Sequence, residues 1–155
     1  RYSTIQNNKF PFLNGGSDYI TAGWHAVVHH DEGTDQERFD TMGWYHTALA
    51  DLLTKLEGIP EGEGTLLDNT TVVFMSSLGN SAHSTNNLPV YIVAPPGGTL
   101  AGGQYVDLNG RSVADLFVTL MHHLGIDADS FGWNQGTAPN SGAPFNSGPI
   151  AELLA

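Results

Sequence analysis

Three histidines fall within six residues, at His25, His29 and His30 of the run Gly23-Trp24-His25-Ala26-Val27-Val28-His29-His30. On a helix His25 and His29 share a face at i,i+4, the spacing at which two imidazoles grip one metal ion. A zinc-protease motif also needs Glu beside its first His, and that place is Ala26, so the pattern is a different one. A further histidine, His83, closes the polar run Ser76-Ser77-Leu78-Gly79-Asn80-Ser81-Ala82-His83. That run follows Thr71-Val72-Val73-Phe74-Met75, which reads as a buried strand, and precedes a second strand, Pro89-Val90-Tyr91-Ile92-Val93-Ala94. Ligands of open α/β sheets bind just beyond strand ends, which makes this loop the leading candidate site, with Ser77 and Asn80 as candidate buried polar groups.

The elements that must position these residues are legible on either side. Asp31-Glu32-Gly33-Thr34-Asp35-Gln36-Glu37 is acidic, and Thr34 with Glu37 forms a capping box that opens a helix. The acids suit the positive end of the helix dipole and lack EF-hand spacing, so they read as a solvated first turn. The helix runs to about Leu56 and stops at Glu57-Gly58-Ile59-Pro60. Its apolar stripe is Phe39, Met42, Leu49, Leu53 and Leu56, and His46 falls within it, as an inward histidine bonded to backbone or carboxylate or as a site residue. Glu61 to Thr65 is a turn, and Asn69-Thr70-Thr71 matches the glycosylation acceptor pattern, a short motif that recurs by chance. After the second strand, Pro95-Pro96-Gly97-Gly98 breaks the sheet, residues 97–103 form a surface turn, and 104–108 is expected to add an edge strand. Ser112 and Asp115 form a second capping box, for a helix ending at Leu124-Gly125 whose expected buried face is Val113, Leu116, Phe117, Leu120, Met121 and Leu124. His122 and His123 fall outside that face and read as surface histidines. From Ser130 the chain is rich in Gly, Asn, Pro and Ser and closes on a short apolar segment, Ile150 to Leu154.

Composition narrows the function classes. The 155 residues are one domain's worth, at 40% hydrophobic and 14% charged. Sixteen acids against 5 scattered bases give a net charge of −11, which disfavours binding to nucleic acid or to an anionic membrane. No apolar run approaches the roughly 20 residues that a membrane-spanning helix needs. Cysteine is absent, so neither disulfides nor thiolate chemistry arises. The chain opens at Arg1 without an initiator Met, and we expect it to be the C-terminal part of a longer polypeptide. It divides into an irregular arm over 1–23, an α/β core over 24–135 and a loop-rich arm over 136–155.

The order of motifs from residue 24 to 135 resembles the HXXSHH-motif family of uncharacterised bacterial proteins. The residues that carry the resemblance are the His-x-x-x-His-His run, Trp44-Tyr45-His46 through Leu56, Glu61-Gly62-Glu63-Gly64-Thr65-Leu66-Leu67-Asp68-Asn69-Thr70, Gly79-Asn80, His83, Leu88-Pro89, Gly97-Gly98, Leu124-Gly125-Ile126 and Ser130-Phe131-Gly132. The family looks like a distant branch of the alkaline phosphatase and sulfatase superfamily, metal-dependent hydrolases of phosphate or sulfate esters. The resemblance implies part of an α/β sandwich with a mixed central sheet flanked by helices, and export to the periplasm or beyond. It implies that His25, His29, His30 and His83 match the family's histidines; a metal centre built on them would take zinc, calcium or manganese, with Asp31 or Asp68 as candidate extra ligands. Two positions depart from the pattern: Val28 stands where the motif has serine, and Ser77 where relatives often carry an acid. The superfamily's nucleophile and first metal-binding acid lie upstream of the matched region.

These departures favour a non-catalytic structural or binding subunit packed against other protein chains of a larger assembly, with membrane association only through a partner. The alternative is a metal-dependent phosphate- or sulfate-ester hydrolase whose nucleophile lies in upstream sequence. A third reading, a binding module for a carbohydrate or small acid with Trp24, Trp44 and Trp133 as platforms, competes with three partly buried core tryptophans.

Overall fold

The computed structural model describes residues 27–29, 34–80, 82–108, 110–132, 136–137, 142, 144–145 and 147–155. Among them the chain is a mixed α/β structure of two helices and two small antiparallel sheets. Helix α1 spans Asp35–Glu57, strands β1 Pro60–Glu61 and β2 Gly64–Thr65 form a tight pair, β3 Val72–Met75 pairs with β4 Val90–Val93, and α2 spans Val113–His123.

Both helices start as their capping residues require. The Thr34 and Ser112 hydroxyls accept from the N3 amides of Glu37 and Asp115, and the two carboxylates accept in return from the cap amides. Helix α2 ends at Gly125, whose φ of +76° lets its amide reach the His122 carbonyl while the Ile126 amide reaches Met121, the paired closure of a Schellman motif.

The β3–β4 pair lies between the helices. Register sets Val73 opposite Ile92 and Phe74 opposite Tyr91, so alternate side chains go to opposite faces. Val73, Val90 and Ile92 pack on the buried Leu116, Leu120 and Ile150, whereas Phe74 and Tyr91 meet the His46 ring of α1 at centroid distances of 5.5 and 5.4 Å. Cover on both faces explains why all four β3 residues are half-buried rather than alternately exposed.

Three sequence expectations are corrected here. Residues 104–108 form no strand, and Tyr105 is exposed. The α1 stripe is only partly buried: Phe39 is 74% and Met42 42% exposed. In the first two turns of α1 the covered side is instead that of Glu37 and Thr41, 9% and 0% exposed. Helix α2 is buried more widely than one face: Val118, Asp115 and Thr119 are inaccessible, while Leu124 at the helix end is 65% exposed.

The buried polar side of α2 is where the C-terminal segment docks. The Thr119 hydroxyl accepts from the Ile150 amide at 2.8 Å, the Asp115 carboxylate accepts from the Ser147 amide, and the Arg111 guanidinium donates to the Gly148 and Pro149 carbonyls at 2.6 and 3.1 Å. Arg111 Nε also lies 3.2 Å from Asp115 Oδ2, as an ion pair without hydrogen-bond alignment. These contacts seat Ile150 in the core, and the Leu153 carbonyl then accepts from Ala101. Ile150→Ala should therefore cost about 2–4 kcal/mol through lost burial and the cavity left behind, read as a lower urea midpoint at unchanged slope.

Candidate metal centre

Loop 76–89 between β3 and β4 is folded on itself by its own polar groups. Ser76 and Leu78 exchange hydrogen bonds, with the Ser76 hydroxyl donating to the Leu78 carbonyl at 2.7 Å and accepting from the Leu78 amide at 3.3 Å. The Gly79 amide donates to the Ser84 carbonyl at 2.7 Å, and the Asn80 side-chain oxygen accepts from Ala82 N at 2.9 Å and Ser84 N at 3.1 Å. Between those two amides stands His83, with φ of +60°, a left-handed conformation uncommon outside glycine that asparagine, aspartate and histidine enter more readily than other residues.

The His83 ring meets that of His29. Their Nε2 atoms lie 2.9 Å apart, with ring planes at 88° and centroids 4.5 Å apart. The two residues are separated by 54 positions in sequence, and both belong to the predicted ligand set. Without a cation, one Nε2 carries a proton and donates to the lone pair of the other. With one, both lone pairs turn to it: ligands at about 2.0–2.1 Å subtending roughly 90–110° stand about 2.9–3.4 Å apart, so the observed separation fits a shared ion. Helix α1 fixes the far side of the pair, because Arg38 Nη1 donates to the Val27 carbonyl at 3.0 Å, two residues before His29.

The remaining expected ligands divide. His25, His30 and Asp31 lie outside the described residues, as do Trp24 and Trp133. Asp68 is engaged elsewhere: its Oδ2 accepts from the Thr65 amide and the Thr65 hydroxyl, both at 2.8 Å. The Thr65 backbone and then hydroxyl bonds hold the Asp68 carboxyl below its ordinary range. It therefore supports the turn in its ionised form, and that support is lost as pH falls through the lowered pKa. Among the described residues no group of three or more His, Cys, Asp or Glu is arranged to hold a metal ion.

Ser77 and Asn80 are both exposed, not buried as expected, and it is the Asn80 oxygen rather than any burial that gives it a role. His46 is the inward histidine of the first alternative, half-buried, with Nδ1 2.8 Å from the Met42 carbonyl and Nε2 3.3 Å from the Tyr91 hydroxyl. His123 is not a free surface histidine. Its Nε2 and Nδ1 bond the Thr71 and Thr99 hydroxyls at 2.9 and 2.8 Å, tying the end of α2 to the start of β3 and to the turn after β4. His122 likewise bonds the Ala128 carbonyl at 2.9 Å. Gly79 was missed as a site-forming residue: a β-carbon there would lie 1.8 Å from the Asn86 carbonyl oxygen, so only glycine allows the loop to close.

No family model, curated protein or solved structure matches the chain.

Proposed function

We propose that this chain is a divalent-cation-binding domain, non-catalytic by itself, in which His29 and His83 are the central ligand pair. The observation that carries the reading is the 2.9 Å approach of their Nε2 atoms across 54 residues of sequence. Of zinc, calcium and manganese, paired imidazoles suit zinc best, because calcium takes oxygen ligands and manganese favours carboxylate and water. His25, His30 and Asp31 complete the set in this proposal. The bound ion would supply Lewis acidity, and the two imidazoles would hold it against the end of the hairpin.

The motif order from 24 to 135 supports descent from an alkaline phosphatase- or sulfatase-like sandwich, and the packing of a helix on each face of β3–β4 is consistent with a piece of one. Ser77, at a place where that superfamily often has an acid, supports loss of turnover. The exposure of Phe39 and Met42 on α1 supports packing against another protein chain of a larger assembly. Among the described residues no helix is long and apolar enough to cross a membrane.

Elemental analysis of the native chain, dialysed without chelator, tests the proposal together with assays on chromogenic phosphate and sulfate esters. Stoichiometric zinc with no ester cleavage is the expected result. Zinc accompanied by turnover would replace it with the hydrolase alternative, and a metal-free chain that takes up none on titration would end both.

A further inference from the structure

We infer that Asn80 is a positioning residue for the cation site: its side-chain oxygen sets the backbone on both sides of His83 and thereby aims that imidazole at His29. The inference rests on the cation-binding reading and adds to it the group that presents one of the two ligands.

Three observations converge on Asn80. His83 holds a left-handed φ of +60°, a region uncommon for residues other than glycine. The amides immediately before and after it, Ala82 N and Ser84 N, both donate to one atom, Asn80 Oδ1, at 2.9 and 3.1 Å. Two donors flanking a single residue and meeting at one acceptor force the chain to bend around that residue and turn its side chain outward. The third observation is the anchor of Asn80 itself. Its neighbour Gly79 donates to the Ser84 carbonyl at 2.7 Å and lies so close to Asn86 that no side chain fits at 79. The acceptor is thus held from behind while it holds His83 in front.

The role needs an acceptor oxygen at the end of a one-carbon stem, nothing more. Asp supplies the same oxygen, Ala supplies none. Asn80 is exposed and lies outside the set packed on the Leu116 core, so the substitutions leave the fold in place. Asn80 touches no ion in this scheme, and its effect passes through His83 alone. Outer residues that orient a metal-bound histidine typically contribute about tenfold to a hundredfold in affinity.

Calorimetric titration with zinc chloride of the wild-type chain, Asn80→Ala, Asn80→Asp and His83→Ala tests the inference, together with cobalt(II) absorption spectra of each. The expected result is a loss of about tenfold to a hundredfold in Asn80→Ala with a changed cobalt spectrum. Asn80→Asp should return both affinity and spectrum to near the wild-type values, and His83→Ala should lose binding more severely than either. Loss of binding in His83→Ala with Asn80→Ala unchanged would overturn the positioning role and leave the cation site standing. Equal weakening in Asn80→Ala and Asn80→Asp would also overturn it, since the acceptor oxygen would then not be the operative group. Unchanged binding in His83→Ala would instead remove the cation site on which the inference depends.

Discussion

Asp115→Ala should lower the unfolding free energy by about 3–5 kcal/mol, the largest loss expected from any single substitution among the described residues. The carboxylate is fully buried, accepts from two amides, Ser112 at the start of α2 and Ser147 of the C-terminal segment, and is the ion-pair partner of Arg111. Alanine leaves both amides without an acceptor and the guanidinium without its counter-charge, and the penalty is that of stranding those groups rather than of losing one bond. Because Arg111 also holds the Gly148 and Pro149 carbonyls, the seat of Ile150 loosens with it. Asn at 115 should be intermediate, keeping one acceptor oxygen but turning an amide nitrogen toward a donor. Small domains are stable by only about 5–15 kcal/mol, so a loss of this size shows plainly in urea melts at unchanged slope. A change below about 1 kcal/mol would mean that the segment 147–155 is not held as described.

Much of the frame was legible in local sequence. Thr34/Glu37 and Ser112/Asp115 announce both helix starts because a capping box is complete within four residues, and Gly125 announces the end of α2 for the same reason. The two strands and the loop that ends in His83 were readable as two apolar runs flanking a polar one. What was not legible depends on partners far away in sequence. Asp115 was visible as a cap but not as the anchor of Ser147, 32 residues on, and Thr119 gave no sign of its bond to Ile150. A usable signal did exist in α2, where Leu116-Phe117-Val118 is apolar around more than one face, the mark of a helix buried on several sides. Periodicity shows the apolar stripe of α1 but not which side is covered, and its early turns bury Glu37 and Thr41 while Phe39 and Met42 stay exposed. In the candidate site, histidine identity could be read, but the roles of Gly79 and Asn80 arise from a backbone fold that no spacing rule encodes.

His83→Ala should weaken zinc binding by at least about a hundredfold, since a ligand contributes no less than the outer residues that orient it. His29→Ala should do the same. Each substitution removes one of the two central nitrogens that converge from separate parts of the chain, and an incomplete ligand set holds the ion far more weakly. The two effects should not add, because once either ligand is gone the other has no shared ion left to stabilise. His123→Ala serves as the control, since that ring is occupied by Thr71 and Thr99, and its loss should lower stability modestly while leaving zinc affinity as it was.

The most direct measurement is a calorimetric double-mutant cycle, titrating zinc chloride into the wild-type chain, His29→Ala, His83→Ala and the double variant. A shared ion predicts one strong site in the wild type, severe loss in each single variant, and a double variant no worse than either. Wild-type affinity retained in both single variants, or losses that simply add, would contradict a site built on this pair.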